Sequence, residues 1–147
     1  MSRIHTCGQL VLLCLALTAC SEKSAEAPPV QTLRLGSGCD VREGCAGRDD
    51  TGLSVTVRMA PHRSALKPFN VSLSSNTTLE SVTVSLEMQG MEMGQNRYRL
   101  LKTDAGSWQA DITLPICTSG RSDWIAVFDV QAEGRHSRLS VPFTLGN

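Results

Sequence analysis

The softest donor atoms in this chain crowd into one run, Leu86-Glu-Met88-Gln-Gly90-Met91-Glu-Met93-Gly94. Thioether sulfur suits Cu(I), and Met-x-Met spacing in extended chain sets two sulfurs on one side. Met91 and Met93 have that spacing. Met88 instead continues an alternating apolar series that begins at Val82, and the alternation breaks at Gly90. A residue without a Cβ at such a break suits a bulge or turn. Met91 and Met93 therefore change phase relative to Met88 and are free to project at the end of the element rather than into a core. The competing reading is packing, because flexible methionines fill irregular core margins. Spacing alone favours packing.

A thiol would complete such a donor set, and which cysteines are available depends on the N-terminus. Arg3 and His5 make a short positive start, Gln9 is the last strongly polar side chain, and the apolar run from Leu10 to Ala19 is too short to span a bilayer. It ends in Leu17-Thr18-Ala19-Cys20, which resembles the lipobox of bacterial lipoprotein signals. That resemblance implies removal of residues 1–19 and lipidation of Cys20, with acylation of the freed amine as well. Each buried methylene contributes roughly 0.8 kcal/mol, so one chain holds marginally and further chains anchor durably. Ser21 is not the aspartate that retains lipoproteins at the inner membrane. In a host with two membranes the expected location is the outer one, facing the periplasm. The alternative is an ordinary export signal in which Cys20 is incidental.

Cys7 and Cys14 leave with the leader and Cys20 is consumed by lipid, so Cys39, Cys45 and Cys117 remain. That is an odd number for an oxidising compartment. Cys39 and Cys45 bracket Asp-Val-Arg-Glu-Gly, a small loop with Gly44 available to turn, and a disulfide between them is the default among three possible pairings. Their spacing is not that of a thioredoxin-like Cys-x-x-Cys. Cys117, just past Leu114-Pro115-Ile116, would then be free. A thiolate there with two or three thioethers would make a Cu(I) site. A small buried thiol, or a disulfide with Cys39 or Cys45, is the alternative. His62, after Pro61, is expected as a solvated loop histidine within reach of a sandwich end, and His136 as an exposed turn residue.

No nucleophile elbow, zinc-protease motif, phosphate-cradling glycine loop or evident catalytic carboxylate pair is present, so a non-enzymatic role is expected. From Cys20 to Asn147 the mature chain has 128 residues, with 13 basic side chains against 14 acidic ones. That length suits one domain, and that balance gives no electrostatic case for nucleic acid.

The elements that must position these residues are strands. Period-two alternation runs through 53–60, 69–74, 82–89, 108–114 and 138–145. Two less regular strands are expected at 97–101 and 124–130. In the second, apolar residues occupy both faces, as in a central strand. Pro142 cannot donate to a ladder, so the last strand should be an edge or kinked there. Seven strands, polar turns and no helical period predict an all-β fold, an immunoglobulin-like antiparallel β-sandwich over 39–147. Residues 20–38, polar and carrying Pro28-Pro29, read as a flexible tether, with a short strand conceivable over 30–35.

The run from Val82 to Trp124 resembles the YtkA-like and FixH-like periplasmic domains. The resemblance is carried by Met88-Gln-Gly-Met91-Glu-Met93-Gly94, then Trp108-x-Ala110-x-Ile112-x-Leu114-Pro115, then Trp124. It implies a small immunoglobulin-like β domain that works beside copper transport or cytochrome oxidase assembly. FixH-like proteins carry a transmembrane helix where this chain carries a lipid signal. The expectation is an envelope lipoprotein binding or relaying Cu(I) through Met91, Met93 and Cys117, with Met88 as a further ligand. Its partner would be a copper-handling or oxidase-assembly protein. The competing expectation is a structural lipoprotein whose sandwich docks an envelope partner without metal.

Overall fold

The computed structural model describes residues 28–62, 64 and 66–145. The export signal and Cys20 lie outside the described residues. The strands are β1 (Gln31–Thr32), β2 (Arg34–Leu35), β3 (Cys45–Arg48), β4 (Ser54–Met59), β5 (Phe69–Ser75), β6 (Ser81–Glu87), β7 (Arg97–Arg99), β8 (Leu101–Lys102), β9 (Trp108–Ile112), β10 (Asp123–Ala132) and β11 (Arg135–Thr144). One sheet runs β1-β11-β10-β6-β7 and the other β2-β3-β4-β5-β9-β8. Every pairing is antiparallel except that of β1 with β11. The order β4-β5-β9 facing β11-β10-β6-β7 is the immunoglobulin-like arrangement, in which the first strands hairpin on one sheet and the last hairpin joins the other.

Alternation decides what is buried. Val55, Val57 and Met59 of β4 meet Val71 and Leu73 of β5, and these face Val82, Val84, Leu86, Phe128, Leu139 and Val141 of the opposite sheet. β10 lies between β6 and β11, as its apolar sequence requires. Pro142 sits opposite Ile125, while β1 reaches only Ser137 and Arg138. Its missing N–H therefore falls on a stretch of β11 that is open on the far side, which is the expected edge position.

Two strands differ from expectation, and for one reason. Residues 31–35 begin a strand beside β11, pass through Leu33 (2% exposed), and continue beside β3 in the other sheet. Leu33 N–H donates to the Arg138 carbonyl at 2.8 Å. Residues 97–102 do the same on the opposite side, switching sheets at the buried Leu100. Each lateral edge of the sandwich is thus closed by one chain segment shared between both sheets, which leaves only two- and three-residue strands exposed as edges. The expected tether over 20–38 gives way to sheet from Gln31 onward, because Leu33 is needed to seal that edge.

β3 lacked a signal because its sequence is Cys-Ala-Gly-Arg. A Cβ on Gly47 would stand 2.6 Å from Leu139 Cδ1 and 2.9 Å from Cδ2, across the inter-sheet space. Leu139 is fully buried and has nowhere to retreat. Gly47→Ala should therefore destabilise by about 1–3 kcal/mol despite alanine's lower backbone entropy cost. Urea unfolding of Gly47→Ala, Leu139→Val and the double variant checks this. The double variant should be more stable than the sum of the singles predicts.

On the outer face of β10, Asp129 is 8% exposed. Arg138 Nε donates to Asp129 Oδ1 at 2.7 Å, His136 Nε2 lies 3.1 Å from the same oxygen, and Arg97 Nη2 donates to Oδ2 at 3.3 Å. His136 is therefore a strand residue held by a carboxylate, not the exposed turn residue expected from Gly134-Arg135. Burial pushes the Asp129 carboxyl up, but the hydrogen bonds and charges of Arg138 and then His136 outweigh it and hold it below 3.8. A depressed carboxyl contributes stability above its unfolded value that is lost as pH falls through the folded one. Asp129→Asn should thus cost stability at pH 7, and the gap to wild type should close below about pH 4. Unfolding curves at pH 7, 5 and 3 measure the gap.

Candidate functional site

β6, β9 and β10 bring two loops to the same end of the sandwich: 88–96, leaving β6, and 113–122, between β9 and β10. The first loop turns immediately. Met91 N–H donates to the Met88 carbonyl at 3.1 Å, and Gly90 has φ +75°. A positive φ confined to the second central residue marks a type II turn, which explains the glycine. Further on, Asn96 Oδ1 accepts the Leu86 N–H at 2.6 Å, which ties the loop back to β6.

Met88 remains inward, 3% exposed, at the end of the core. Met91 and Met93 are half-buried against its margin. Cys39 and Cys45 form a disulfide with a Cα–Cα distance of 4.7 Å, on the sheet edge where β3 begins. Cys117 is free and half-buried.

The decisive contact is between loops. Cys117 Sγ lies 3.6 Å from Met88 Sδ, although the two residues are 29 apart in sequence. Ser119 Oγ lies 3.0 Å from Cys117 Sγ and 3.6 Å from Met91 Sδ. Two thioethers, one thiol and one hydroxyl are therefore gathered at one place. Met88, expected as the accessory donor, touches the thiol directly. Met93 makes no polar side-chain contact with this group among the described residues, and only its carbonyl is engaged, by Asn96 Nδ2 at 3.4 Å. His62 is exposed and apart from the sulfurs' hydrogen-bonding.

The Ser119 hydroxyl hydrogen bond pulls the Cys117 thiol below 9.0. Partial burial opposes it, while the Ser119 and Arg121 N–H groups and the Arg121 charge reinforce it. The hydrogen bonds and the Arg121 charge favour thiolate, the form that ligates metal, and outweigh burial. Two sulfurs sharing one tetrahedral first-row cation at roughly 2.3 Å each stand roughly 3.8 Å apart, so the 3.6 Å pair needs little adjustment to share one ion. Among the described residues no group of three or more His, Cys, Asp and Glu side chains converges. The donor set here is soft, which matches a soft monovalent cation better than zinc or calcium.

Ser119 and Arg121 were not foreseen from sequence. A Cys-x-Ser spacing hints at the first. Nothing local marks the second. No family model, curated protein or solved structure matches the chain. The expected resemblance to YtkA-like and FixH-like domains therefore has no support from these comparisons.

Proposed function

We propose that this chain is a non-enzymatic envelope lipoprotein that binds or relays Cu(I) through Met88, Met91 and Cys117. The observation that supports it is the 3.6 Å approach of Cys117 Sγ to Met88 Sδ, with Met91 joined through Ser119. Packing alone does not call for a free thiol in contact with a thioether and a hydroxyl. The reading keeps the proposed copper-associated resemblance of the Val82–Trp124 run and the proposed Cys20 anchor, with an envelope copper-handling or oxidase-assembly protein as partner. Met93 drops to a packing role in it.

Competition against a chromophoric Cu(I) chelator under reducing conditions tests this. Met88→Leu/Met91→Leu preserves volume and removes both thioethers, so its affinity should fall by at least tenfold. Equal affinity of wild type and double variant would instead support the structural reading. The observation favouring that reading is that Met88 belongs to the core.

A further inference from the structure

Arg121 links the cysteine loop to the methionine turn. Its Nη1 donates to the Gln89 carbonyl at 2.9 Å, inside the Met88–Met91 turn. Its Nε donates to Asp123 Oδ1 at 2.9 Å and its Nη2 to Asp123 Oδ2, so the guanidinium is aimed by a two-pronged carboxylate contact. Asp123 opens β10 opposite Thr144 and is therefore anchored in the sheet. The chain thus runs from a fixed strand, through a fork that orients Arg121, to the carbonyl at the tip of the methionine turn. Cys117 and Ser119 lie in the same loop, four and two residues before Arg121, with Gly120 at φ +73° turning the chain between them and the arginine.

We propose that Arg121 is the positioning residue of the sulfur site, a clasp holding the cysteine loop against the methionine turn. Without it, the polar contacts between the two loops among the described residues are those of Met88, Met91, Cys117 and Ser119, which are weak and flexible. With it, a backbone carbonyl one residue from Met88 and two from Met91 is bonded to a strand-anchored guanidinium. A planar fork that bonds a carboxylate and a carbonyl at once is a task arginine performs and lysine does not. Any change in metal affinity rests on the Cu(I) reading. The clasp itself does not.

The test uses metal-free wild type, Arg121→Gln, Arg121→Lys and Asp123→Asn, each with 13C-methyl methionine. The nuclear Overhauser contact between the Met88 methyl and the Cys117 Hβ protons is read beside thermal unfolding and Cu(I) competition. Wild type should show the contact. Arg121→Gln should lose most of it, Arg121→Lys should be intermediate, and Asp123→Asn should weaken it. Unfolding midpoints should stay within a few degrees, because the arginine side chain is 37% exposed. Cu(I) affinity should fall roughly 10–100-fold in Arg121→Gln, the usual effect of losing an orienting group. An unchanged contact in both Arg121→Gln and Asp123→Asn overturns the clasp. Loss of the contact in a protein whose wild type binds no Cu(I) upholds the clasp and removes the copper reading.

Discussion

Replacing Cys117 with serine should lower Cu(I) affinity by roughly a hundredfold or more while leaving the fold intact. Oxygen for sulfur nearly preserves size and hydrogen bonding but exchanges the soft, ionisable donor for a hard one that Cu(I) does not favour. The loss should exceed that of removing either thioether, because the thiolate is the only anionic ligand in the group. Cys117 is half-buried in a loop and unpaired in any disulfide, so stability should change by no more than about 0.5 kcal/mol. Chelator competition and thermal unfolding, read on the same samples, separate the two effects. Full retention of affinity by Cys117→Ser would remove the sulfur site as the seat of function.

The largest stability loss should come from Phe128→Ala. Phe128 is fully buried on β10, opposite Leu139 of β11 and Val84 of β6, at the middle of the central strand. Its neighbours Leu139 and Val84 are themselves fully buried and held in ladders, so they can relax only partly into the cavity. A cost of about 3–5 kcal/mol follows from lost transfer energy and the cavity together. At this domain size that lowers the unfolding midpoint by roughly 10–20 °C. Urea denaturation should show a lower midpoint with an unchanged slope. Ile116→Ala is the internal control: Ile116 is 64% exposed and its truncation should change little.

Much of the sandwich is legible in the chain because burial on one face imposes a period of two. Val55-Thr-Val57, Val71-Ser-Leu73 and Val82-Thr-Val84-Ser-Leu86 announce both their strand nature and their inward face. β10 reads as central because a strand with neighbours on both sides buries residues on both faces. The same period cannot exist in two residues, so 30–35 reads only as a short strand that could form and 97–101 as one strand, and the sheet switches at Leu33 and Leu100 leave no mark. β3 is silent for a different reason: its glycine answers to Leu139 of the other sheet, not to its own neighbours.

The candidate site divides in the same way. Residue type and the break at Gly90 mark the methionine turn, and with Cys39 and Cys45 in a disulfide Cys117 is the free cysteine among the described residues. Which sulfur meets which was decided by strand order. β9 lies in the other sheet from β6, but the loop that leaves it enters β10, whose first residues pair with the end of β6. That brings Met88 to Cys117 across 29 residues and leaves Met93, the second half of the Met-x-Met pair, at the core margin. Local periodicity reports the face on which a side chain lies. The partners waiting on that face belong to distant parts of the chain, and only the tertiary packing selects them.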